Sequence, residues 1–231
     1  MIVYPETWKT LGKPVSISDI DNVLLEIVSN IDCNVLSYSG GVDSSILLHY
    51  MLATRNKVSL YTVANSPSHP DIYYSKLGYD YYKQKFGKDI THNILVIENV
   101  EGDELVKKYY EKISQYTDSI ITGDCVDELM CGYYMHQTDN LEETYHELLN
   151  QLQSRHLVPL NTNPGKVKVY IPYADSRFVL LASLIPLHAK VNSNTRKILI
   201  NNLAEDKVPD DIIGRRKYGL GTSAASETGK H

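Results

Sequence analysis

The stretch "SYSGGVDSSILLHY", residues 37–50, places two glycines, an aspartate and four serines between an apolar strand and an apolar helix. Glycine permits positive φ and lets backbone N–H groups approach an anion without a Cβ in the way. A helix that begins near Asp43 and Ser44 directs its positive end and unpaired N–H groups at the same point. The loop therefore predicts a phosphate-binding site. The alternative is a Gly-Gly turn whose serines and aspartate merely cap a helix.

The flanking pattern predicts an α/β fold built on a doubly wound parallel sheet with a helical C-terminal extension, because strands and helices alternate through the first half of the chain. Such sheets bind ligands beyond the carboxyl ends of their strands. A helix whose apolar face is Ile20, Val23, Leu24, Ile27 and Val28 is expected to be capped by Ser18, and the helix predicted at 71–86 is expected to stop at Gly87. The predicted strands are 33–38, 57–63, 90–97 and 119–123; the predicted helices are 44–52, 71–86, 102–116, 141–157, 175–185 and 194–206, with a short extended run at 166–172.

Composition limits the possible classes of protein. The chain has 231 residues, of which 42% are hydrophobic, so it can form the core of one α/β domain. The formal net charge of -5 makes nucleic acid an unlikely partner. No apolar run is long enough to cross a bilayer, and no signal peptide is recognisable, so a cytoplasmic protein without a membrane partner is expected. The three cysteines form no CxxC pair and are interpreted as small core residues.

A second stretch, "ITGDCVDELMCGYY" at 121–134, brings Asp124, Asp127 and Glu128 together just after a strand end. In an open parallel sheet that position lies close to the first loop. A solvated acidic helix start is the alternative, because the positive end of a helix favours carboxylates. The phosphate site is neither that of P-loop NTPases nor that of dinucleotide folds, since the sequence contains neither GxxxxGK[ST] nor GxGxxG.

The segment "SGGVDSS" (39–45) resembles the signature of the ATP pyrophosphatase (PP-loop) family, whose fold is adenine nucleotide α-hydrolase-like. Members cleave ATP between the α- and β-phosphates and transfer the adenylyl group to an acceptor oxygen. The resemblance implies ATP as cofactor. It places the nucleotide on Ser39, Gly40, Gly41, Val42, Asp43, Ser44 and Ser45. An anionic Asp43 in a phosphate site further implies Mg²⁺.

The second stretch is similar to the "SGEGADELFGGY" block of asparagine synthetases and β-lactam synthetases, which implies that Asp43 and Asp127 share Mg²⁺. Three further segments match in order: "IPYADSRFV" is similar to "VPFLDxRLV", "NTRKILI" to "TKxxLR", and "GRRKYGLGTS" to a mobile Arg-x-Lys loop. The segment "VSLYTVANSPSHPD" resembles the strand and loop that hold adenine. The residues implied are Val63, Gly123 and Asp124 for the nucleotide, and Arg196 and Lys217 for catalysis, with Lys217 neutralising the leaving pyrophosphate.

Three departures from the family pattern bear on the acceptor. Position 2 is Ile2, and only about thirty residues precede the first loop, so we expect no glutaminase domain and therefore free ammonia, another amine or a separate glutaminase subunit. Lys168 stands where the family has a proton-handling glutamate, so either Glu128, Tyr170 or the substrate itself fills that role, or amide formation has been lost. The region between "ILVI" and "SIITG" is also shorter than in relatives, which makes aspartate a weak candidate acceptor.

The favoured hypothesis is an ATP- and Mg²⁺-dependent amide ligase that adenylylates a small carboxylate and releases AMP and pyrophosphate. The alternatives are an ATP pyrophosphatase acting on a nucleobase or tRNA, and a non-catalytic ATP-binding subunit of a two-component amidotransferase. Residues 1–231 are expected to form a single synthetase-type domain. Within it, 1–32 would be a helical lead-in, 33–135 the nucleotide-binding core, and 136–231 a helical acceptor-side portion with a mobile tail.

Overall fold

A computed structural model of the chain describes residues 4–9 and 12–215, and in them five parallel strands form one sheet in the order β3-β2-β1-β4-β5. The strands are β1 (Val35–Ser37), β2 (Lys57–Ala64), β3 (Asp89–Val96), β4 (Ser119–Ile121) and β5 (Lys168–Tyr170). The chain runs outward from β1 to β3 and then returns to the other side of β1 as β4. The predicted α/β fold with a doubly wound parallel sheet is confirmed.

Helices connect and follow the strands. They are α1 (Ile17–Ser29), α2 (Val42–Thr54), α3 (Pro70–Phe86), α4 (Gly102–Ile113), α5 (Val126–Leu129), α6 (Leu141–Leu152), α7 (Val158–Asn161), α8 (Ser176–Leu184), α9 (Leu187–Lys190), α10 (Ile198–Ala204) and α11 (Asp210–Ile213). Shorter 3₁₀ segments lie at Glu6–Lys9, Tyr134–His136 and Pro172–Ala174, and a π-helical segment follows α6 at Gln153–Leu157. None of the helices in the described ranges combines the length and apolar character needed to cross a bilayer.

The chain divides into two compact units. The sheet unit comprises 32–122, 162–170 and 206–231, and contains all five strands with α2, α3, α4 and α11. The helical unit comprises 1–31, 123–161 and 171–205. The expected single synthetase-type domain with its three portions stays a prediction.

The topology of the sheet unit creates a switch point between β1 and β4. Leu36 of β1 is opposite Leu60 of β2 on one side and Ile121 of β4 on the other. Right-handed crossovers put α2 and α3 on one face and α4 on the opposite face. The strand order reverses between β1 and β4, and open parallel sheets usually bind ligands at the carboxyl ends of the strands beside such a point.

The predicted extended run at 166–172 is confirmed and contains the edge strand β5, because Lys168–Tyr170 pairs in parallel with β4. Two other element predictions are corrected. The N-cap of α1 is Ser16, not Ser18, because Ser16 and Asp19 form a reciprocal capping box. The helix predicted over 194–206 is shortened to α10 because Lys197 adopts a left-handed φ of 51°. The predicted stop at Gly87 is confirmed, with φ of 60°.

Candidate functional site

The first loop, which we define as Ser39–Ser45, leads from the carboxyl end of β1 into α2. Tyr38 N–H donates to Tyr61 O (2.8 Å), which extends the β1–β2 pairing up to the loop. Gly41 N–H then donates to Ser39 Oγ (3.2 Å), and Ser44 Oγ donates to Gly41 O (3.2 Å). The N-cap residue of α2 is Gly41, which has no side chain to cap the helix. The N–H groups of a first helical turn lack intrahelical partners, so this terminus suits an anionic ligand.

Gly40 is the position in the loop where a side chain cannot be accommodated. Its φ is +67°, and an added Cβ would lie 2.3 Å from Ser75 N and 2.4 Å from the carbonyl carbon of Tyr74. The start of α3 therefore presses directly on the loop backbone. The close packing against Tyr74 and Ser75 restricts the backbone of the first loop at its left-handed turn.

Asp43, Ser45 and Val63 are further residues of the sheet unit that are predicted to contact the nucleotide, and their side chains are buried. Asp43 lies in the first turn of α2 after Val42, and its side chain is largely buried. Ser45 is fully buried, with its Oγ 3.1 Å from the Tyr38 hydroxyl, so its hydroxyl packs inside the unit. Val63 lies near the end of β2, buried and opposite Leu95 of β3. Their contacts with a nucleotide stay predictions.

Among the residues that the structure describes, Arg215 is a cation that borders the first loop. The guanidinium of Arg215 donates to Ser39 O (3.3 Å) and to Asp71 Oδ1 (2.8 Å). Sequence reasoning expected Arg215 to be part of a basic mobile tail and assigned no role to Asp71. The two residues are 144 positions apart, so no local pattern connects them. Lys217, predicted to meet the leaving pyrophosphate, lies outside the described residues.

In the helical unit, the acidic stretch begins with Gly123 and Asp124 and continues into α5. Asp127 Oδ1 pairs with Lys197 Nζ at 2.6 Å, and both side chains are buried. An added Cβ at Gly132 would lie 1.8 Å from Asp127 Oδ1, so only glycine permits this arrangement. Sequence reasoning missed Lys197 because "NTRKILI" was interpreted as continuous helix.

Glu128 accepts a hydrogen bond from a tyrosine and lies beside a histidine. Tyr133 OH donates to Glu128 Oε1 at 2.6 Å, and His156 Nε2 lies 3.5 Å from the same oxygen. Burial, the main cause, and the nearby Asp127 raise the pKa of Glu128, while Tyr133 and His156 oppose that rise. A buried carboxyl group with a raised pKa is a candidate proton carrier.

Arg196 lies beside the acidic stretch. Its Nη1 donates to Gly132 O (2.7 Å), and its guanidinium carbon lies 3.6 Å from the centroid of the Tyr134 ring. The helical unit therefore brings Arg196, Asp127 and Gly132 together, while their roles in catalysis and metal binding stay predictions.

Tyr170 and Lys168 lie on β5 in the sheet unit. The ammonium group of Lys168 is 4.6 Å from the centroid of the Tyr170 ring. A hydrogen bond to Tyr170 raises the pKa of Lys168, which is exposed. A lysine could replace a carboxylate base only with a strongly lowered pKa, so Lys168 does not meet that condition.

The described ranges contain no group of three or more His, Cys, Asp or Glu side chains arranged to hold a metal ion. The predicted magnesium ligands Asp43 and Asp127 belong to the sheet unit and the helical unit respectively, and their sharing of Mg²⁺ stays a prediction. The interpretation of the cysteines is confirmed, because Cys33, Cys125 and Cys131 are buried free thiols.

Comparison with known families supports one part of the resemblance. Residues 165–230 match the model of the asparagine synthase family. This segment is less than a third of the chain. This segment is therefore asparagine synthase-like and indicates an ATP-dependent ligase. The match includes Arg196, Arg215 and Lys217, whereas the first loop and the acidic stretch lie outside it. A comparison with curated proteins finds no match.

Proposed function

We propose that this chain is an ATP-dependent amide ligase of the asparagine synthetase type, which adenylylates a small carboxylate and transfers the acyl group to ammonia or another amine. The observation that carries the reaction class is the family match over 165–230. The glycine-rich first loop at the carboxyl end of β1, leading into the uncapped start of α2, supports ATP as the substrate that is cleaved.

The proposed reaction has two steps. A carboxylate oxygen attacks the α-phosphorus, and the bond to the β-phosphate oxygen breaks so that pyrophosphate leaves with the electron pair. The amine nitrogen then attacks the acyl carbon, the bond to AMP breaks, and the nitrogen loses a proton. The N–H groups at the start of α2 would stabilise charge on the phosphates, and Lys217 would neutralise the leaving pyrophosphate.

Glu128 is the residue we propose as acceptor of the proton from the amine. Its buried carboxylate accepts a hydrogen bond from Tyr133, and burial raises its pKa, which makes it a stronger base than an exposed glutamate. Tyr170 is the second residue proposed at this step, while Lys168 is a poor base because its pKa is raised. Arg196 would add positive charge on the acceptor side.

The donor chemistry of Asp43 and Asp127 fits Mg²⁺, because hard carboxylate oxygens together with phosphate oxygens are its usual ligands. The two aspartates would hold the ion, which would supply charge neutralisation at the phosphates when bound. Asp127 already pairs with Lys197 at 2.6 Å, so a metal has to compete with that ammonium group.

An oxygen-transfer experiment tests the proposal. The protein is incubated with ATP, Mg²⁺, ammonia and a set of ¹⁸O-labelled small carboxylates, and the nucleotide products are analysed by mass spectrometry. We expect AMP carrying one ¹⁸O atom together with an amide. Formation of ADP, or of AMP without the label, would contradict adenylylation of a carboxylate. Glutamine replaces ammonia, with and without a glutaminase, to identify the amine source.

A specific observation favours a second candidate, a non-catalytic ATP-binding subunit. Lys168 stands where the family has a glutamate, and a hydrogen bond to Tyr170 raises the pKa of this lysine, which makes it a poor base. Tight ATP binding without turnover in the presence of every carboxylate and amine tested would favour this alternative over the ligase.

A further inference from the structure

Arg215 forms a buried ion pair beside the first loop. Its Nη2 donates to Asp71 Oδ1 at 2.8 Å, and only 4% of the Arg215 side chain and 2% of the Asp71 side chain are exposed. Exposed ion pairs contribute little, but a buried pair is strongly damaging to break, because one charge is then left without a partner. This contact is therefore a fixed part of the sheet unit.

Two residues in the first turns of α3 contact the guanidinium of Arg215. Asp71 and Tyr74 are three residues apart, so their side chains lie on one face of the helix. The guanidinium carbon lies 4.8 Å from the centroid of the Tyr74 ring, which adds a cation–π contact to the ion pair. The N–H of Asp71 donates to His69 Nδ1 (3.2 Å), which fixes the first turn that presents the carboxylate. Arg215 is thus oriented by α3 before it reaches the loop.

The second donor of Arg215 acts on the loop backbone. Nη1 donates to Ser39 O at 3.3 Å, and this carbonyl belongs to the same peptide group as the N–H of Gly40. A peptide group is planar, so fixing the direction of its C=O also fixes the direction of its N–H. Arg215 therefore orients the Gly40 amide at the point where the loop takes its left-handed turn.

The guanidinium also closely borders Gly41. An added Cβ at Gly41 would lie 3.5 Å from Arg215 Nη2. Nη1 and Nη2 each donate one hydrogen bond to a protein oxygen, Ser39 O and Asp71 Oδ1, and the side chain is almost fully buried, which leaves little of the guanidinium accessible to a ligand. This arrangement suits a residue that shapes the loop better than one that grips a phosphate itself.

We propose that Arg215, anchored by Asp71, is a positioning residue that holds the Ser39–Gly40 peptide and with it the first loop in its anion-binding orientation. This inference rests on the proposed function, since the anion is the triphosphate of ATP. It assigns to Asp71 and Arg215 an effect on nucleotide affinity that acts through the loop backbone.

The test is a double-mutant cycle on ATP binding. The dissociation constant of ATP with Mg²⁺ is measured by calorimetry for the wild type, Arg215→Gln, Asp71→Asn and the double variant, well below their melting temperatures. We expect each single variant to weaken ATP roughly tenfold, and the double variant to be no weaker than the singles, because both remove the same constraint. Arg177→Gln is the matched control: Arg177 pairs with Glu26 and Asp175 in the helical unit, and ATP affinity should not change.

The Asp71→Asn variant separates positioning from direct phosphate contact. If Arg215 gripped the phosphate itself, releasing it from Asp71 would leave ATP affinity unchanged or increase it, which would overturn the proposal. Arg215→Lys retains the charge but lacks the planar fork, so we expect an intermediate affinity. If the Gln variant fails to fold, the Lys and Asn variants carry the test.

Failure of the inference and failure of the proposed function give different results. If the wild type binds ATP and the Arg215 and Asp71 variants bind it equally well, the positioning role is wrong while the ligase proposal stands. If the wild type itself binds no ATP, both are wrong. A fall in melting temperature at unchanged ATP affinity would show a purely structural ion pair and would also overturn the inference.

Discussion

Lys190 is a fully buried cation in the helical unit. Its Nζ donates to Tyr145 OH (2.6 Å), and lies 4.5 Å from the centroid of the Tyr145 ring and 5.3 Å from that of Trp8. Burial lowers the pKa of Lys190 to about 7, and the nearby Cys131 opposes this effect. Lys190 in turn contributes to the lowered pKa of His136. The core of this unit therefore contains a lysine that titrates near neutral pH.

Replacing Lys190 with methionine is expected to change how stability depends on pH. In the unfolded chain a lysine has a pKa of about 10.4, so between pH 7 and 10 the unfolded state binds more protons and this residue makes stability rise with pH. Below pH 7 Lys190 is protonated in both the folded and the unfolded state, so the free-energy cost of burying its charge no longer changes with pH. Between pH 7 and 10, Lys190 should raise the free energy of unfolding of the wild type by up to about 1.4 kcal/mol per pH unit, and Lys190→Met should lack this rise.

Urea unfolding of the wild type and Lys190→Met at pH 7, 8 and 9 measures this difference. The control is Lys168→Met, which removes an exposed lysine and should leave the pH slope of the wild type unchanged. Equal slopes for the wild type and Lys190→Met would show that Lys190 does not titrate in this range.

At the scale of elements, α1 provides a test of its corrected start. Asp19 N–H donates to Ser16 Oγ (3.1 Å), and Ser16 N–H donates to Asp19 Oδ2 (2.9 Å). Ser16→Ala should lower the free energy of unfolding by about 1 kcal/mol, the usual contribution of a cap. Ser18 is an exposed residue inside the helix, so Ser18→Ala should be neutral or slightly stabilising. Equal losses in thermal or urea unfolding would speak against Ser16 as the cap.

The junction between the first loop and α3 makes a second prediction. Gly40→Ala adds a Cβ 2.3 Å from a backbone nitrogen as well as the strain of positive φ. Gly87 has a similar φ of +60°, but an added Cβ there has nothing within 4 Å, so Gly87→Ala is the matched control. We expect Gly87→Ala to cost about 1 kcal/mol, and Gly40→Ala to cost clearly more and to abolish ATP binding.

Unfolding curves and ATP calorimetry on the two alanine variants distinguish the clash of the added Cβ with α3, which occurs only at Gly40, from the strain of a positive φ, which occurs at both positions. If both variants lose the same stability and Gly40→Ala still binds ATP, the close packing of α3 against the loop does not control the nucleotide site.

At the scale of the whole molecule, the predicted sharing of Mg²⁺ by Asp43 and Asp127 can be tested without a bound structure. The Mg²⁺ concentration required for half-maximal AMP formation is measured for Asp43→Asn, Asp127→Asn and the double variant. If one ion is shared, each single change should raise that concentration by roughly tenfold or more, and the combined effect should be non-additive. Asp139→Asn is the control for loss of one negative charge. Independent, additive shifts would indicate separate ions.

Several features could be predicted from sequence because they depend on neighbouring residues. The strand, glycine pair and helix of the first loop, the end of α3 at Gly87 and the parallel sheet all follow from local periodicity and glycine chemistry. The cap of α1 was placed two residues too late, because two serines compete there and only the bond with Asp19 distinguishes them.

The sequence by itself determined the α/β class and the positions of the glycine-rich first loop and of the acidic stretch, since each depends on residues that are close in the chain. Only the tertiary structure decided which partner each buried basic side chain meets: Arg215 pairs with Asp71, Lys197 with Asp127, and Lys190 with the Tyr145 hydroxyl. It also decided that the run around Lys168 joins the sheet as β5. Such pairs depend on how distant segments pack, and a one-residue turn such as that at Lys197 redirects a side chain without leaving a periodic pattern in the sequence.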